Sequence, residues 1–366
     1  MDKENLDRLK EVLAVPTYSR NEVRMIEYLK SVFDEKGFEY YLDKLGNIYV
    51  TKGEAEYFPC FVAHTDTVHE VNEDMRVVQL EEDGKTILTG IDIQTMKPSG
   101  IGGDDKCGVY LCLEMLDKLD NVKVALFVSE EIGCVGSRQA DPKFFENVGY
   151  AIQYDSPKGN SMSMTLMGKE LFGTKTVFGE KVSPLILEHG IDDWAYHPYT
   201  DIWPLMDKFG FSCLNLAAGY YNYHTHNEYV LVSDVDNAFE LGIKLHQELG
   251  ENYYDRPKNI KTTTKSYSDI NGGYYGGKYY DDDSNDTHGN GLMSEDVDDD
   301  PIYDNGTLEI DGVVYDEYTE EDFSTDLDDT FEDLFDYKEF NGGNTIEHYG
   351  TRSDFDDVSD THQFEW

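Results

Sequence analysis

The chain has 366 residues and a formal net charge of −45, because 75 acidic side chains outnumber 30 basic ones. Nucleic-acid backbones and anionic membranes are themselves negatively charged, so neither is an expected partner. No apolar run approaches the roughly 20 residues of a membrane span, and the opening sequence MDKENLDRLKEVL lacks the apolar core of a secretion signal. The five cysteines form no CxxC pair, and together these features predict a cytoplasmic protein with reduced thiols.

Helical and strand-like patterns alternate over the first 250 residues. A short helix is predicted from Leu6 to Leu13, and a second from a cap at Ser19 to about Lys36. Six runs then predict strands: FEYYLD, NIYVTK, CFVAH, VALFVS, YAIQYD and SCLNLA. Two further helices are predicted over 106–119 and 234–249. The last four strand runs are apolar enough for burial on both faces, which predicts an α/β fold with a mostly parallel central sheet and helices on both faces.

The composition changes near the end of this pattern. Residues 253–366 are rich in Gly, Tyr and Asp, and they hold 32 acidic and 7 basic side chains. Such a segment buries too little apolar surface to offset the entropy lost when a chain becomes ordered. We therefore predict one folded domain over 1–252, followed by an acidic tail over 253–366 that is mostly disordered.

Two runs in the tail have local structural signals. Residues 307–318 contain two β-prone runs around Asp311-Gly312, which predicts a short hairpin. Residues 331–340 have apolar side chains at near-helical spacing, which predicts a short amphipathic helix. Two interpretations of the tail stay open, a solvated acidic extension and a segment that docks a protein partner.

Polar side chains stand where the predicted strands end. They are His64 and Asp66 after the third run, Glu130 and Glu131 after the fourth, Asp155 after the fifth, and His224 and His226 after the sixth. Each of them alone has an ordinary explanation as a loop or surface residue. In open α/β sheets, however, ligands bind beyond the carboxyl ends of the strands. We therefore expect these distant residues to converge on one crevice.

A glycine-rich stretch, GIGGDDKCG, adds Asp104 and Asp105 just before a predicted helix. One of the two is expected to cap the helix, which leaves the other free. Several carboxylates in one crevice would raise each other's pKa values unless cations were present. Imidazole and carboxylate ligands without thiolates suit zinc, with cobalt and manganese as alternatives. The pattern therefore predicts a divalent-metal site.

Five motifs in this order, HTDTV, GGDDKCG, SEEIG, YDSP and HTHNEY, resemble the co-catalytic di-zinc exopeptidases. That group includes peptidase T, glutamate carboxypeptidases, aminoacylases and related aminopeptidases, and the resemblance covers roughly residues 1–250. It implies two zinc ions per chain, and it makes 1–252 the catalytic domain. The implied roles are metal binding by His64 and Asp155 at one ion and by Glu131 and His224 at the other, bridging by Asp104, general-base catalysis by Glu130, and orientation of His64 by Asp66. His226 is the alternative to His224.

The chain departs from peptidase T between Asp155 and His224. About seventy residues separate them, too few for the second domain that peptidase T inserts there, which dimerises and helps to bind the substrate carboxylate. The chain therefore resembles the aminopeptidases without this lid, in which Thr-Asp precedes a short helix. Thr200 and Asp201 become candidate substrate-pocket residues, with a helix cap as the alternative. Oligomeric state stays open.

The resemblance and the charge together predict a metal-dependent exopeptidase that removes N-terminal residues from short peptides. Few Arg or Lys residues lie near the motifs, so the positively charged amino end of a peptide is the expected point of recognition. One alternative is a di-zinc carboxypeptidase or an N-acyl amino acid amidohydrolase. A second is a non-catalytic binding or scaffold protein with an acidic interaction tail.

Overall fold

The computed structural model describes residues 1–166, 169–196, 200–257, 308–310 and 313–315. The chain divides into two compact units, Met1–Asp282 and Asp283–Trp366. The helices of the first unit are α1 (Lys3–Ala14), α2 (Val23–Lys36), α3 (Gly103–Lys118), α4 (Val135–Arg138), α5 (Pro142–Phe145), α6 (Val177–Glu188), α7 (Ile202–Phe209) and α8 (Val232–Leu249). None of the described helices is long and apolar enough to cross a membrane.

The strands of the first unit form a larger and a smaller sheet. They are β1 (Tyr40–Leu42), β2 (Ile48–Lys52), β3 (Phe58–His64), β4 (Met75–Glu82), β5 (Lys85–Asp92), β6 (Lys97–Ser99), β7 (Val122–Phe127), β8 (Val148–Ser156), β9 (Ser161–Leu166), β10 (Lys169–Glu170), β11 (Asp193–Tyr196), β12 (Ser212–Ala217), β13 (Tyr220–Tyr221) and β14 (Tyr229–Leu231). In the second unit, β15 (Leu308–Ile310) pairs antiparallel with β16 (Val313–Tyr315).

The larger sheet has the strand order β1-β2-β7-β3-β8-β12-β9-β10, with β11 paired to β9. Its centre is parallel, since β3 lies between β7 and β8 and β8 continues to β12, all in the same direction. Antiparallel pairs lie on either side of this centre. All four central strands are buried along their whole length. The mostly parallel central sheet predicted from the sequence is confirmed.

Helices cover both faces of the central strands. On one face, Val62 and Cys213 belong to a buried cluster that includes Phe145 of α5 and Leu205 of α7. On the other face, α3 packs on β3, β7 and β8. There α8 approaches so closely that a Cβ at Gly242 would lie 2.0 Å from the Tyr154 hydroxyl oxygen. Burial on both sides explains why these strands are continuously apolar rather than alternating.

The smaller sheet has the order β13-β14-β5-β4, with β6 paired to β5. Sequence reasoning did not predict it, although the local signal is present. Glu82 pairs with Lys85, so Asp83-Gly84 forms a two-residue hairpin loop. Both loop residues have positive φ, 49° and 75°. Asp-Gly between alternating runs is a strong hairpin signal because this turn requires that conformation.

The start of the second helix corrects the sequence prediction. Helix α2 begins at Val23 rather than after Ser19, its N-cap residue is Glu22, and no side chain caps it. The Ser19 hydroxyl instead donates to Asp66, at 2.7 Å. Ser19, a residue type that favours helix capping, therefore makes a tertiary contact with Asp66 instead.

The stretch between Asp155 and His224 contributes strands β9–β12 and helices α6 and α7, and its described residues form no separate domain. Helix α6 packs on α8, and α7 packs on β12. This arrangement agrees with the predicted absence of a lid. Residues 193–196 form β11 because they pair parallel with β9.

The packed part of the chain continues past residue 252. Tyr254 is buried, accepts a backbone hydrogen bond from Ser212 at 2.8 Å and donates one to Gly149 at 3.0 Å. These contacts add the segment to the ends of β12 and β8. The disordered character predicted for most of the tail, and the helix predicted over 331–340, lie outside the described residues.

Candidate active site

The candidate residues stand at the carboxyl ends of neighbouring parallel strands. His64 is the last residue of β3 and pairs in register with Phe127, the last residue of β7. Glu130 follows β7 by three residues, and Asp155 is the penultimate residue of β8 on the other side of β3. The parallel centre therefore brings residues that are far apart in sequence to one edge of the sheet, as predicted.

Two groups of possible metal ligands share Asp104. One group is His64, Asp104 and Asp155, the other is Asp104, Glu131 and His224, and the ligand atoms within each group lie within 4.8 Å of one another. His64 Nε2 is 3.3 Å from Asp104 Oδ1 and 3.7 Å from Asp155 Oδ1. His224 Nε2 is 3.3 Å from Asp104 Oδ2 and 3.0 Å from Glu131 Oε2. Each oxygen of Asp104 thus faces a different histidine.

The buried polar atoms of this cluster suit a pair of divalent cations. His64 Nε2 and Asp104 Oδ1 are both buried and make no hydrogen bond within the described part of the chain, although they are only 3.3 Å apart. Burying polar atoms without a partner is costly unless something else satisfies them. Imidazole nitrogen and carboxylate oxygen are ligands that zinc accepts, and Asp104 can serve two ions. The residues present therefore fit two metal ions with one shared carboxylate.

The carboxylates and imidazoles of the cluster shift each other's pKa values strongly. Burial and the charge of Asp104 raise the pKa of Glu131 to about 7. Burial alone would lower the pKa of His224, but Asp104 and Glu131 raise it to about 11. Burial alone would raise the pKa of Asp104, but His224 and His64 hold it well below its usual value. Since the imidazoles must lose their protons to bind metal, metal affinity is expected to fall as the pH falls.

Asp66 lies where it can orient His64. Its carboxylate is fully buried, and His64 Nδ1 lies 3.3 Å from Asp66 Oδ1 and 3.1 Å from the Asp66 carbonyl oxygen. This contact turns Nε2 toward Asp104 and Asp155. A carboxylate on the second nitrogen of a ligand histidine fixes the ring and increases its basicity. The geometry suits the role that the sequence resemblance implies.

Glu130 lies beside the first group without belonging to it. Its Oε2 is 4.0 Å from His64 Nε2, and its Oε1 accepts a hydrogen bond of 3.2 Å from Cys134 Sγ. Burial raises the pKa of Glu130 well above its usual value, and the charge of Asp155 adds to the effect. A carboxyl group at this place, beside the ligand groups, is positioned to accept and return a proton.

The two aspartates of the glycine-rich stretch have separate tasks. Asp105 Oδ1 accepts a hydrogen bond from the Gly108 backbone N–H at 3.0 Å, next to the non-helical kink at Asp104 and Asp105 in the first turn of α3. The N-cap residue of α3 is Gly102, so neither aspartate caps this helix. The other oxygen of Asp105 accepts a hydrogen bond from the His64 backbone N–H at 3.1 Å. Asp104 is therefore the free aspartate of the pair, and it faces the histidines.

Glu228 is a site residue to which sequence reasoning gave no role. It is fully buried, and its two oxygens accept hydrogen bonds from the backbone N–H groups of Gly102, at 2.7 Å, and Asp104, at 3.0 Å. His69 Nε2 lies 2.9 Å from the same carboxylate. Glu228 thereby ties the loop of Asp104 to the hairpin of His224. Its signal in the sequence was its place in HTHNEY, four residues after His224.

Thr200 and Asp201, the candidate pocket residues, are both fully buried. The Thr200 hydroxyl donates to Gln153 at 2.6 Å, and the Gln153 amide donates to Asp155 Oδ2 at 3.1 Å. Asp201 is the N-cap residue of α7, but its side chain makes no capping hydrogen bond. Burial raises the pKa of Asp201 to about 7. Their contact with a substrate stays a prediction.

Three further residues near the site, His226, Tyr220 and Tyr221, belong to neither ligand group. His226 is exposed, belongs to neither group, and has its ring centroid 6.4 Å from that of His69. The Tyr220 hydroxyl donates to Asp155 Oδ1 at 3.3 Å, and the Tyr221 hydroxyl donates to Asp234 at 2.6 Å. Of the two alternative histidines, the structure brings His224 to the shared aspartate.

No protein-family model and no curated protein matches the sequence. Solved structures do match. The aminopeptidase PepT from Bacillus cereus is similar over 68% of this chain and 99% of its own, with a TM-score of 0.55 and 15% identity. A tripeptidase from Staphylococcus aureus is similar over 66% and 96%, with a TM-score of 0.53 and 13% identity. The TET aminopeptidase of a marine sediment archaeon, Thaumarchaeota archaeon, is similar over 67% and 96%, with a TM-score of 0.51 and 12% identity.

At these identities the similarity is one of fold. The matches cover about two thirds of this chain and nearly all of each solved chain. The five short sequence motifs predicted this fold, although the overall identity to these solved chains is low. The chain therefore has the fold of the co-catalytic zinc exopeptidases, the group that its ordered motifs resemble.

Proposed function

We propose that the protein is a metal-dependent exopeptidase that removes N-terminal residues from short peptides. The observation that carries the proposal is the pair of ligand groups joined by Asp104, with a buried carboxyl group, Glu130, beside them. A di-metal site hydrolyses amides when it has a base within reach of the attacking water. The matched aminopeptidases share the fold and support the same class of reaction.

The residues divide the work of hydrolysis between binding and proton transfer. His64, Asp155, Asp104, Glu131 and His224 would hold two zinc ions, with cobalt or manganese as alternatives. Zinc bound there supplies Lewis-acid activation of a water molecule and of the scissile carbonyl group. Glu130 takes a proton from that water on Oε2 and returns it to the leaving amine, while Cys134 holds Oε1. Asp66 keeps the His64 ring in place throughout.

The charges around the site support recognition of the amino end of a peptide. Lys106 is buried and donates to the carbonyl oxygens of Leu13 and Ile101. Arg138 donates to the carbonyl oxygen of Gly133, and Lys158 pairs with Asp193 at 3.1 Å. These three cations near the motifs already have partners. A site rich in carboxylates favours an ammonium group over a second carboxylate.

A peptide panel tests this proposal. The zinc-loaded protein would be given one tripeptide in four forms, with a free or acetylated N-terminus and a free or amidated C-terminus. We expect cleavage of both forms with a free N-terminus, loss of cleavage on acetylation, and release of the first residue. Cleavage that survives acetylation but not amidation would assign a carboxypeptidase or an amidohydrolase instead. No cleavage of any form by protein with both metals bound would favour a non-catalytic binding protein.

A further inference from the structure

The segment that carries Glu130 and Glu131 is held by carboxylates from elsewhere in the chain. Three successive backbone N–H groups donate to two such side chains. Ser129 donates to Glu22 Oε1 at 3.1 Å, and Glu130 and Glu131 donate to Asp66 at 2.9 and 3.3 Å. The backbone orientation of the base and of a metal ligand therefore depends on both carboxylates.

Glu22 is almost wholly buried at this point, with 3% of its surface exposed. Its Oε1 also accepts hydrogen bonds from the Ser129 hydroxyl and from the Arg20 backbone N–H, both at 3.1 Å. Three donors thus converge on one oxygen. Two of them belong to Ser129, so Glu22 holds this residue by both its backbone and its side chain.

The sequence around Glu22 has the form of a capping box, S-x-x-E, but does not act as one. In a capping box, the serine and the glutamate bond to each other's backbone N–H groups at the start of a helix. Here Ser19 donates to Asp66, and Glu22 accepts from Ser129, while α2 starts with no side-chain cap. Both side chains of the box are therefore turned toward the site.

Ser129 has φ of 56°, a left-handed conformation that a residue with a Cβ rarely adopts. This turn follows the end of β7 and sends the next two side chains in different directions. Glu130 points toward His64, whereas Glu131 points toward His224. The two hydrogen bonds to Glu22 oppose the return of Ser129 to an extended conformation. The Ser129 carbonyl oxygen also accepts a hydrogen bond from the Val135 backbone N–H, at 3.1 Å.

We propose that Glu22 is a positioning residue, which fixes the Ser129 turn and so sets the places of Glu130 and Glu131. Its effect on turnover rests on the proposed peptidase function, whereas its effect on the backbone does not. Glu22 touches neither the ligand groups nor a substrate, and it acts through Ser129. Loss of its acceptor oxygen therefore displaces the base and one metal ligand together.

The test compares Glu22→Ala with Glu22→Gln, which retains an Oε1 acceptor of the same reach. Glu114→Ala is the control, because Glu114 is another buried carboxylate, paired with Arg8 and ten residues along α3 from Asp104. All variants would be compared at equal folded fraction, by kcat and KM and by amide hydrogen exchange of residues 128–134. Removing a residue that supports a ligand typically lowers activity by roughly 10–100-fold.

We expect Glu22→Ala to lower kcat by about that factor with little change in KM, and to speed exchange in 128–134. Glu22→Gln should retain most of the wild-type kcat and the slow amide exchange of residues 128–134. Glu114→Ala should change neither kcat nor this exchange. Equal losses in Glu22→Ala and Glu114→Ala, or no rescue by Gln, would overturn the proposal. If wild-type protein cleaves no peptide, the peptidase function fails, and the exchange data still decide the role of Glu22. If Glu22→Ala does not fold, Glu22→Asp, which has a shorter reach, replaces it. Amide hydrogen exchange of residues 128–134 at the wild-type rate in Glu22→Asp would then overturn the proposal.

Discussion

His224 and His226 are two positions apart, yet the backbone gives them different surroundings. His224 has φ of 61°, and this turn brings its Nε2 to 3.0 Å from Glu131 and 3.3 Å from Asp104. His226 is exposed. We expect His224→Ala to lose about one of two zinc ions per chain and His226→Ala to keep both, as measured by elemental analysis after gel filtration. A loss of zinc in His226→Ala alone would make His226 the ligand.

Glu130 and Glu131 are adjacent, but only Glu131 belongs to a ligand group. We expect Glu130→Gln to retain its zinc and to lower kcat by about 10²–10⁴-fold, the usual contribution of a general base. The amide keeps the size of the side chain and cannot accept the proton. Zinc content and peptide turnover measured on the same preparation would check this. If Glu130→Gln instead lost zinc but kept normal turnover per bound ion, Glu130 would be the metal ligand and Glu131 the general base.

The elements of the sheet fix where the site lies, and three of the loops around the site meet at Glu228. One loop follows β3 and carries His69, the second leads into α3 with Gly102 and Asp104, and the third precedes β14 and carries Glu228 itself. The Glu228 carboxylate contacts the first two loops. Function concentrated in loops on a rigid sheet is the usual arrangement in α/β enzymes.

Helix α3 begins next to a buried lysine, which makes its stability depend on pH. Lys106 donates to two backbone carbonyl groups, and burial lowers its pKa to about 8 from the ordinary 10.5. At pH values between about 8 and 10.5, Lys106 is protonated in the unfolded chain and deprotonated in the folded chain. Folding therefore becomes more favourable as the pH rises through this range. This contribution is complete above pH 10.5 and is lost as the pH falls through about 8.

Lys106→Met removes that titration and keeps a long apolar stem. We expect the unfolding free energy of wild type, relative to Lys106→Met, to rise by about 2–3 kcal/mol between pH 7.5 and 10.5, since one pKa unit corresponds to about 1.4 kcal/mol. Urea denaturation of both proteins in a chelator would measure the difference. A constant difference over this range would mean that Lys106 keeps an ordinary pKa in the folded protein.

The larger sheet was predictable because its central strands are apolar runs that end in polar residues. The runs ending at His64 and Asp155 carry both signals, burial and chemistry, within a few residues. The smaller sheet was missed because β4 and β5 lie partly exposed and their sequence is mixed. Its Asp83-Gly84 turn was nevertheless a usable signal.

The contacts that support the site were less predictable than the ligand candidates. Ser19 was assigned to a helix cap because local propensity favours that use. Its actual partner, Asp66, is 47 residues away, and no local pattern predicts such a contact. Glu22 and Glu228 were missed for the same reason, since both accept hydrogen bonds from backbone groups more than a hundred residues away. Every residue except proline has a backbone N–H group, so the sequence does not show which of these groups will donate to a distant carboxylate.

At the scale of the whole molecule, charge and packing divide the chain at different places. Residues 258–366 hold 31 acidic and 6 basic side chains, which is −25 of the total of −45. The contacts of the first unit reach Arg256, whose backbone N–H donates to the Gly210 carbonyl at 2.8 Å. The change in composition therefore locates the acidic segment, while the hydrogen bonds of the described residues show that packing extends at least to Arg256.

Two truncations that differ by five residues distinguish these boundaries. Ending the chain after residue 257 keeps Tyr254, whose ring centroid lies 5.5 Å from that of Phe178 and 6.0 Å from that of Tyr150. Ending it after residue 252 removes this buried ring and its hydrogen bonds to Gly149 and Ser212. We expect the longer form to keep the fold and zinc content. The shorter form should lose about 2–4 kcal/mol of unfolding free energy, from one buried aromatic side chain and its hydrogen bonds.

Urea denaturation of both forms at the same zinc load would measure this difference. The lost hydrogen bonds end on β8 and β12, and β8 carries Asp155, so the shorter form should also lose activity at a lower temperature than the longer one. Equal stability of the two forms would show that Tyr254 contributes little despite its burial. Unfolding of the longer form would show that residues beyond 257 stabilise the catalytic unit, and the acidic segment would then have a structural role.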